Sequence, residues 1–217
     1  MYARLLAMSC LLSVSTFSAR ADSSIPLGTT LEVYVKGGQS STPDVLAAMS
    51  RELDTLMQTA GFRVILRGTD DSAANSPAEH LVLVELRGLC VAQFSTWAGA
   101  PLPSSAPLAS SSVSDGKILP FSWVDCSALN RFLAPAAAHQ TQAEQDFLYG
   151  RSLARVLAHE FYHVLAQTDE HAPAGIAKAR FSIADLLADH LDFETIALDR
   201  LHPLSTVDAA DGSDAGR

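Results

Sequence analysis

The chain is short of positive charge. It carries 15 Lys and Arg against 24 Asp and Glu, for a formal net charge of −9 over 217 residues. A nucleic-acid-binding surface needs the opposite balance, so no nucleic acid is expected among its partners. Beyond residue 21 the sequence lacks any apolar run long enough to cross a bilayer, and no membrane partner is expected. Internal repeats are missing. Cysteine is scarce, with only Cys10, Cys90 and Cys126, and no Met follows Met57.

The first segment, MYARLLAMSCLLSVSTFSARA, reads as an address and not as part of a fold. Arg4 supplies a positive start, Leu5 to Phe17 is mostly apolar, and Ala19-Arg20-Ala21 has the small-residue pattern of a cleavage site. These are the three parts of a secretory signal peptide, expected over 1–21. No lipobox surrounds Cys10. The expected product is a secreted or periplasmic protein. Cys90 and Cys126 then form an even pair in an oxidising compartment, which predicts one disulfide.

The remainder is long enough for one domain with a real core, expected over 22–205, with a disordered tail at 206–217. Thr30 to Lys36 alternates and predicts a strand. Thr42-Pro43-Asp44 carries a cap, a first-turn proline and a dipole-favoured acid, so a helix follows to Gly61. Phe62 to Leu66 and Leu81 to Leu86 predict two more strands. Residues 98–116 are rich in Ser, Pro, Ala and Gly and read as a surface loop. Lys117 to Asp125 predicts an edge strand, because Pro120 would interrupt an interior one. A peptide could join that edge by strand addition. Helices are expected from Ser127 to Leu133, stopping near Pro135, from Thr141 to about Gln167, and from Ser182 to Leu201, where Ser182 and Asp185 resemble a capping box. The fold class is α+β, a mixed sheet packed on helices.

Residues 159–163 read HEFYH. On a helix, each residue turns by about 100°, so His159 and His163 stack on one face and can reach one ion. Leu153, Leu157, Phe161 and Val164 share the neighbouring apolar face, with Glu160 between the two. Zinc accepts neutral imidazoles and keeps a position open for water. It lowers the pKa of that water to about 7, and an adjacent glutamate can take the proton. Tyr162, roughly opposite the core face, reads as an exposed or supporting residue. Asp185 and Asp189 read as a solvated helix face, as do His190 and His202 as surface residues.

HEFYH resembles the signature of the zincin metallopeptidases. The segment ARVLAHEFYHVLAQTDEHAPAGIAKARFS is similar to a group of secreted bacterial proteins regarded as zinc peptidases, in which the motif is followed by a His, a Gly and an Ala-Lys segment, here His171, Gly175 and Ala177-Lys178. The resemblance covers about thirty residues. It implies a zincin-like domain with an active-site helix, Zn2+ as cofactor, His159 and His163 as ligands and Glu160 as general base. The implied activity is endopeptidase action on a polypeptide through a zinc-bound water. A non-catalytic zinc-binding protein and a hydrolase of small amides are the alternative readings; Glu160 separates the first, since binding alone does not need it. The metzincin pattern HExxHxxGxxH would place Gly at 166 and His at 169, where this chain has Ala166 and Asp169. Without that glycine the turn should come later, near 167–169, helped by Pro173 and Gly175. His171 is therefore the expected third ligand, with Asp169 second and Glu194 or Asp189 of the last helix as further candidates.

Overall fold

The computed structural model describes residues 28–37, 41–68, 78–94 and 106–202. The expected signal peptide and tail, and residues 98–105 of the expected loop, lie outside them. The described chain runs β1 (Thr29–Lys36), α1 (Pro43–Thr59), β2 (Phe62–Gly68), β3 (His80–Arg87), β4 (Ala109–Ser114), β5 (Lys117–Asp125), α2 (Cys126–Ala137), α3 (Gln142–Ala166), α4 (Ile183–Leu187) and α5 (Thr195–Leu201). The five strands form one sheet in the order β2-β1-β3-β5-β4. All neighbours are parallel except β4, which runs antiparallel to β5. The expected α+β class and mixed sheet are what the chain adopts.

Alternation explains how the sheet faces its helices. Leu31 and Val33 of β1 and Val82, Val84 and Leu86 of β3 are buried together with the inner faces of α1 and α3. Leu81 and Leu83 point the other way and are exposed, as period-two geometry requires. Helix α1 begins as the sequence indicates: Thr42 Oγ1 accepts from the Val45 N–H at 3.3 Å, Pro43 opens the first turn, and Gly61 beyond its end sits at φ +80°. Where α1 meets α3, a Cβ on Gly150 would lie 2.4 Å from the Val45 carbonyl oxygen, so only glycine permits this approach.

Four expectations about elements are corrected. Residues 109–114 of the expected surface loop form β4, the true edge strand. It joins β5 through a two-residue turn, Asp115-Gly116, both at positive φ (51° and 75°), the pairing that tight hairpins favour. Consequently β5 is interior. Pro120 is tolerated because it falls where the β4 register shifts, between the pairs Ser111–Ser122 and Val113–Ile118, and before the β3 pairing starts at Phe121. Helix α2 continues through Pro135 to Ala137, with Pro135 in its last turn. The single last helix expected over 182–201 is two short ones, α4 and α5, although the Ser182/Asp185 capping box does form.

Arginines from α3 explain the break. Arg155, fully buried, donates to the carbonyls of Asp185, Leu186 and Ala188 at 2.8–3.1 Å, and Arg151 donates to those of Leu187 and Ala188. These are the carbonyls that a continuing helix would use for its own next turn. Arg155 Nε also donates to Glu52 Oε1 of α1 at 2.7 Å, so one side chain ties α1, α3 and α4 together.

Cys90 and Cys126 are joined, with Cα atoms 4.9 Å apart, linking the segment after β3 to the start of α2. Asn130 reinforces the link: its side chain donates to the Val91 carbonyl and accepts from the Gln93 N–H. The bridge spans 36 residues, and the chain-entropy model assigns such a loop about 4 kcal/mol.

Two stability outcomes follow. Cys90→Ser with Cys126→Ser should lower the free energy of unfolding by up to about 4 kcal/mol in urea titration; an unchanged midpoint would contradict the link. Arg155→Met should cost about 3 kcal/mol or more, because Glu52 and three carbonyls lose a buried partner; a loss below about 0.5 kcal/mol, the range of ordinary surface changes, would show that the arginine is dispensable.

Candidate metal centre

Helix α3 carries the motif into the middle of the molecule. It starts on a capping box between Thr141 and Glu144 and ends at Gln167, which takes a left-handed conformation at φ 49°. The turn therefore comes at 167, where the missing glycine at 166 predicts it. Most of the last five turns are buried on every side. Tyr162 is fully buried, so of the two readings its position allowed, exposed or supporting, the exposed one is excluded. Phe193 and α5 cover that side of the helix, and the Tyr162 hydroxyl accepts from Arg200 at 2.8 Å and donates to the Glu170 carbonyl at 3.2 Å.

Past Gln167 the chain doubles back over the end of α3. The Ala172 N–H donates to the Ala177 carbonyl at 2.8 Å, and Gly175 sits at φ +70°, where a Cβ would strike the Asp192 carbonyl oxygen at 2.4 Å. This return does two things. It brings His171 over the two motif histidines, its ring stacked on His159 at 5.3 Å between centroids and edge-on to His163 at 4.9 Å. It also brings two backbone carbonyls to the other sides of the motif rings: Ile176 O lies 2.8 Å from His159 Nδ1, and Thr168 O lies 2.7 Å from His163 Nδ1.

A carbonyl oxygen only accepts, so each Nδ1 must carry the proton and donate it. The two Nε2 atoms then present lone pairs, and they lie 3.0 Å apart. A shared proton between them is disfavoured: burial pushes the His159 pKa down to about 4, with His163 and His171 adding to the shift, and burial lowers that of His163 as well. Two neutral imidazoles with lone pairs facing one another make the donor set that a divalent transition metal takes, and the backbone partners on Nδ1 fix its tautomers. The ligand atoms of His159, His163 and His171 all lie within 4.8 Å of one another, and the group could hold a metal ion.

The other candidates stand apart from this group. Asp169 lines the same cleft and its charge acts on His163, but it is not among the clustered ligand atoms. Asp189 is exposed and faces Arg151 at 3.9 Å. Asp185 caps α4 and pairs with Lys178. Glu194 occupies the cap position of α5, beside Gly175.

Glu160 is buried on the same face. Its Oε2 accepts from Ser111 Oγ of β4 at 2.7 Å, and burial raises its pKa while this hydrogen bond opposes the rise. The triad and Glu160 open into a cleft of about 550 Å3 bounded by β4 on one side and by 178–181 on the other. Ser111 lies in the segment read as a loop, so its place in the site is not foreseen. The Asp-Gly pair after ASSSVS is the signal that could have revealed the hairpin. Among the described residues no helix is long and apolar enough to cross a membrane. Comparison with known protein families, with curated proteins and with solved structures finds no match for this chain.

Half-buried His159, its pKa lowered by desolvation, makes stability pH-dependent in the metal-free protein. Unfolded, His159 binds a proton below about pH 6.5; folded, it does so only below about 4. Between these values the unfolded state holds more protons, so stability falls as pH falls. Glu160, with its raised pKa, acts in the opposite sense. The wild-type protein should therefore lose more stability from pH 7 to pH 4 than His159→Gln does, in urea unfolding with chelator present. Parallel pH curves would show that His159 is not held neutral.

Proposed function

We propose that this chain is an exported zinc-dependent endopeptidase, in which His159, His163 and His171 hold Zn2+ and Glu160 is the general base. The observation that carries the reading is the pair of Nε2 lone pairs 3.0 Å apart with both Nδ1 protons committed to backbone carbonyls. Zinc–nitrogen bonds of about 2.0–2.1 Å let two such atoms share one ion. The three histidines would occupy three positions and leave one open, the pattern of catalytic rather than structural sites. Bound there, the ion would polarise a scissile carbonyl and make water a nucleophile near neutral pH.

The chain's own groups would do the rest. Glu160 takes a proton from the attacking water and hands it to the departing amine nitrogen. Its burial suits this cycle, since a carboxylate in an apolar surround is a stronger base than one in water. The edge strand β4 lines the cleft, so an extended polypeptide can lie along it and pair with backbone groups on its outer side. This moves the expected strand addition from β5 to β4. The zincin-like character of the domain rests on the same features: a mixed sheet with one antiparallel edge strand, beside a helix bearing HEFYH. Export to a secreted or periplasmic location is supported by the N-terminal sequence pattern and by the Cys90–Cys126 disulfide, which suits an oxidising compartment.

Purified protein should contain about one zinc per chain and cleave members of a broad peptide library. Glu160→Gln should keep the zinc and lose hydrolysis; a variant as active as wild type would exclude the general-base role. Zinc retained at full occupancy by an inactive wild type would favour the non-catalytic reading. His171→Ala should weaken zinc binding far more than Asp169→Ala, and the reverse order would make the site His-His-Asp.

A further inference from the structure

The proton-accepting carboxylate of Glu160 has two oxygens, and the structure treats them differently. Oε2 accepts from Ser111 Oγ at 2.7 Å. Oε1 has no hydrogen bond among the described residues. Ser111 Oγ also lies 3.4 Å from the Glu160 carbonyl oxygen and 2.9 Å from Ser122 Oγ. A hydroxyl has one proton to give, and the shorter contact to the charged oxygen takes it. Ser122 must then donate to Ser111, so the two hydroxyls form a chain of fixed direction that ends on Oε2. Ser122 is buried in the interior strand β5, and Ser111 is its cross-strand partner on β4. The pair stands next to the β4 register shift, which falls between Ser111 and Val113.

Resting on the peptidase reading above, we propose that Ser111 is a positioning residue: its hydroxyl, oriented by Ser122, anchors Oε2 of Glu160 and leaves Oε1 as the oxygen that accepts and returns the proton. The anchor also holds the carboxylate aside from the histidine nitrogens, so that it serves as a base and not as a further ligand. Bond making is unchanged from the reaction above; Ser111 keeps its own proton throughout. Directional hydroxyl chains of this kind strengthen each member, and they fix a side chain that would otherwise rotate.

The experiment compares Ser111→Ala, Ser111→Thr and Ser122→Ala in the zinc-loaded protein, and Ser111→Ala against Glu160→Ala in the metal-free protein. In the loaded protein, Ser111→Ala should lower kcat by about tenfold or more, in the range expected of a misplaced catalytic group, with KM little changed. Ser111→Thr should recover most of the loss, because it keeps the hydroxyl, and Ser122→Ala should fall between. In the metal-free protein, Ser111→Ala should lower Tm by about 2–4 °C when Glu160 is present and by much less when Glu160 is already Ala, the sign of a direct coupling. An unchanged kcat, a loss confined to KM, or a threonine no better than alanine would overturn the proposal. If wild type cleaves no peptide, the peptidase reading fails on its own. The melting comparison then decides the Ser111 anchor, and equal losses in both backgrounds reject it.

Discussion

Helix α3 is buried on nearly every side, and that constraint organises the molecule. A polar side chain buried on such a helix has no water to turn to, so it needs a protein partner, and most of these partners come from other elements. Arg151 and Arg155 meet the carbonyls of α4, and Arg155 meets Glu52 of α1. Tyr162 meets Arg200 of α5 and the Glu170 carbonyl. His159 and His163 meet Ile176 and Thr168 through one nitrogen each. Glu160 meets Ser111. The lone pairs on the two Nε2 atoms face each other. Among the described residues, these two nitrogens and Glu160 Oε1 are left without a protein hydrogen donor, and all three belong to the candidate site.

Several of these features were legible in the sequence because they are local. The caps of α1 and α3 involve residues three apart, and the sheet's inner face follows from alternation in TLEVYVK and LVLVEL. The helical spacing of His159 and His163 places them together whatever surrounds them. His171 was within reach of the same reasoning, because the absence of glycine at 166 delays the turn to Gln167 and Gly175 allows the return. The disulfide followed from the count of cysteines once Cys10 was set aside with the expected signal peptide.

What was not legible depends on distant partners. A helix wrapped on all sides has no polar stripe to mark its buried face, so Tyr162 could not be placed without Phe193 and Arg200. The 182–201 stretch has good helical composition, and it breaks because arginines thirty or more residues away take its carbonyls. Strand β4 is written in serines, ASSSVS, with little apolar alternation to announce it. Its inner serine is spared that pattern because it faces a carboxylate and a hydroxyl rather than the apolar core. Ser111 was hidden for the same reason that it matters.

The central claim is that His159, His163 and His171 together hold one metal ion. The most direct measurement is a crystal structure of the zinc-loaded protein with an anomalous map at the zinc edge. The account predicts a single strong peak bonded to His159 Nε2, His163 Nε2 and a ring nitrogen of His171, with Glu160 nearby but unbonded. A peak bonded to Asp169 or Glu160 in place of His171, or no peak at the two Nε2 atoms under saturating zinc, would contradict it.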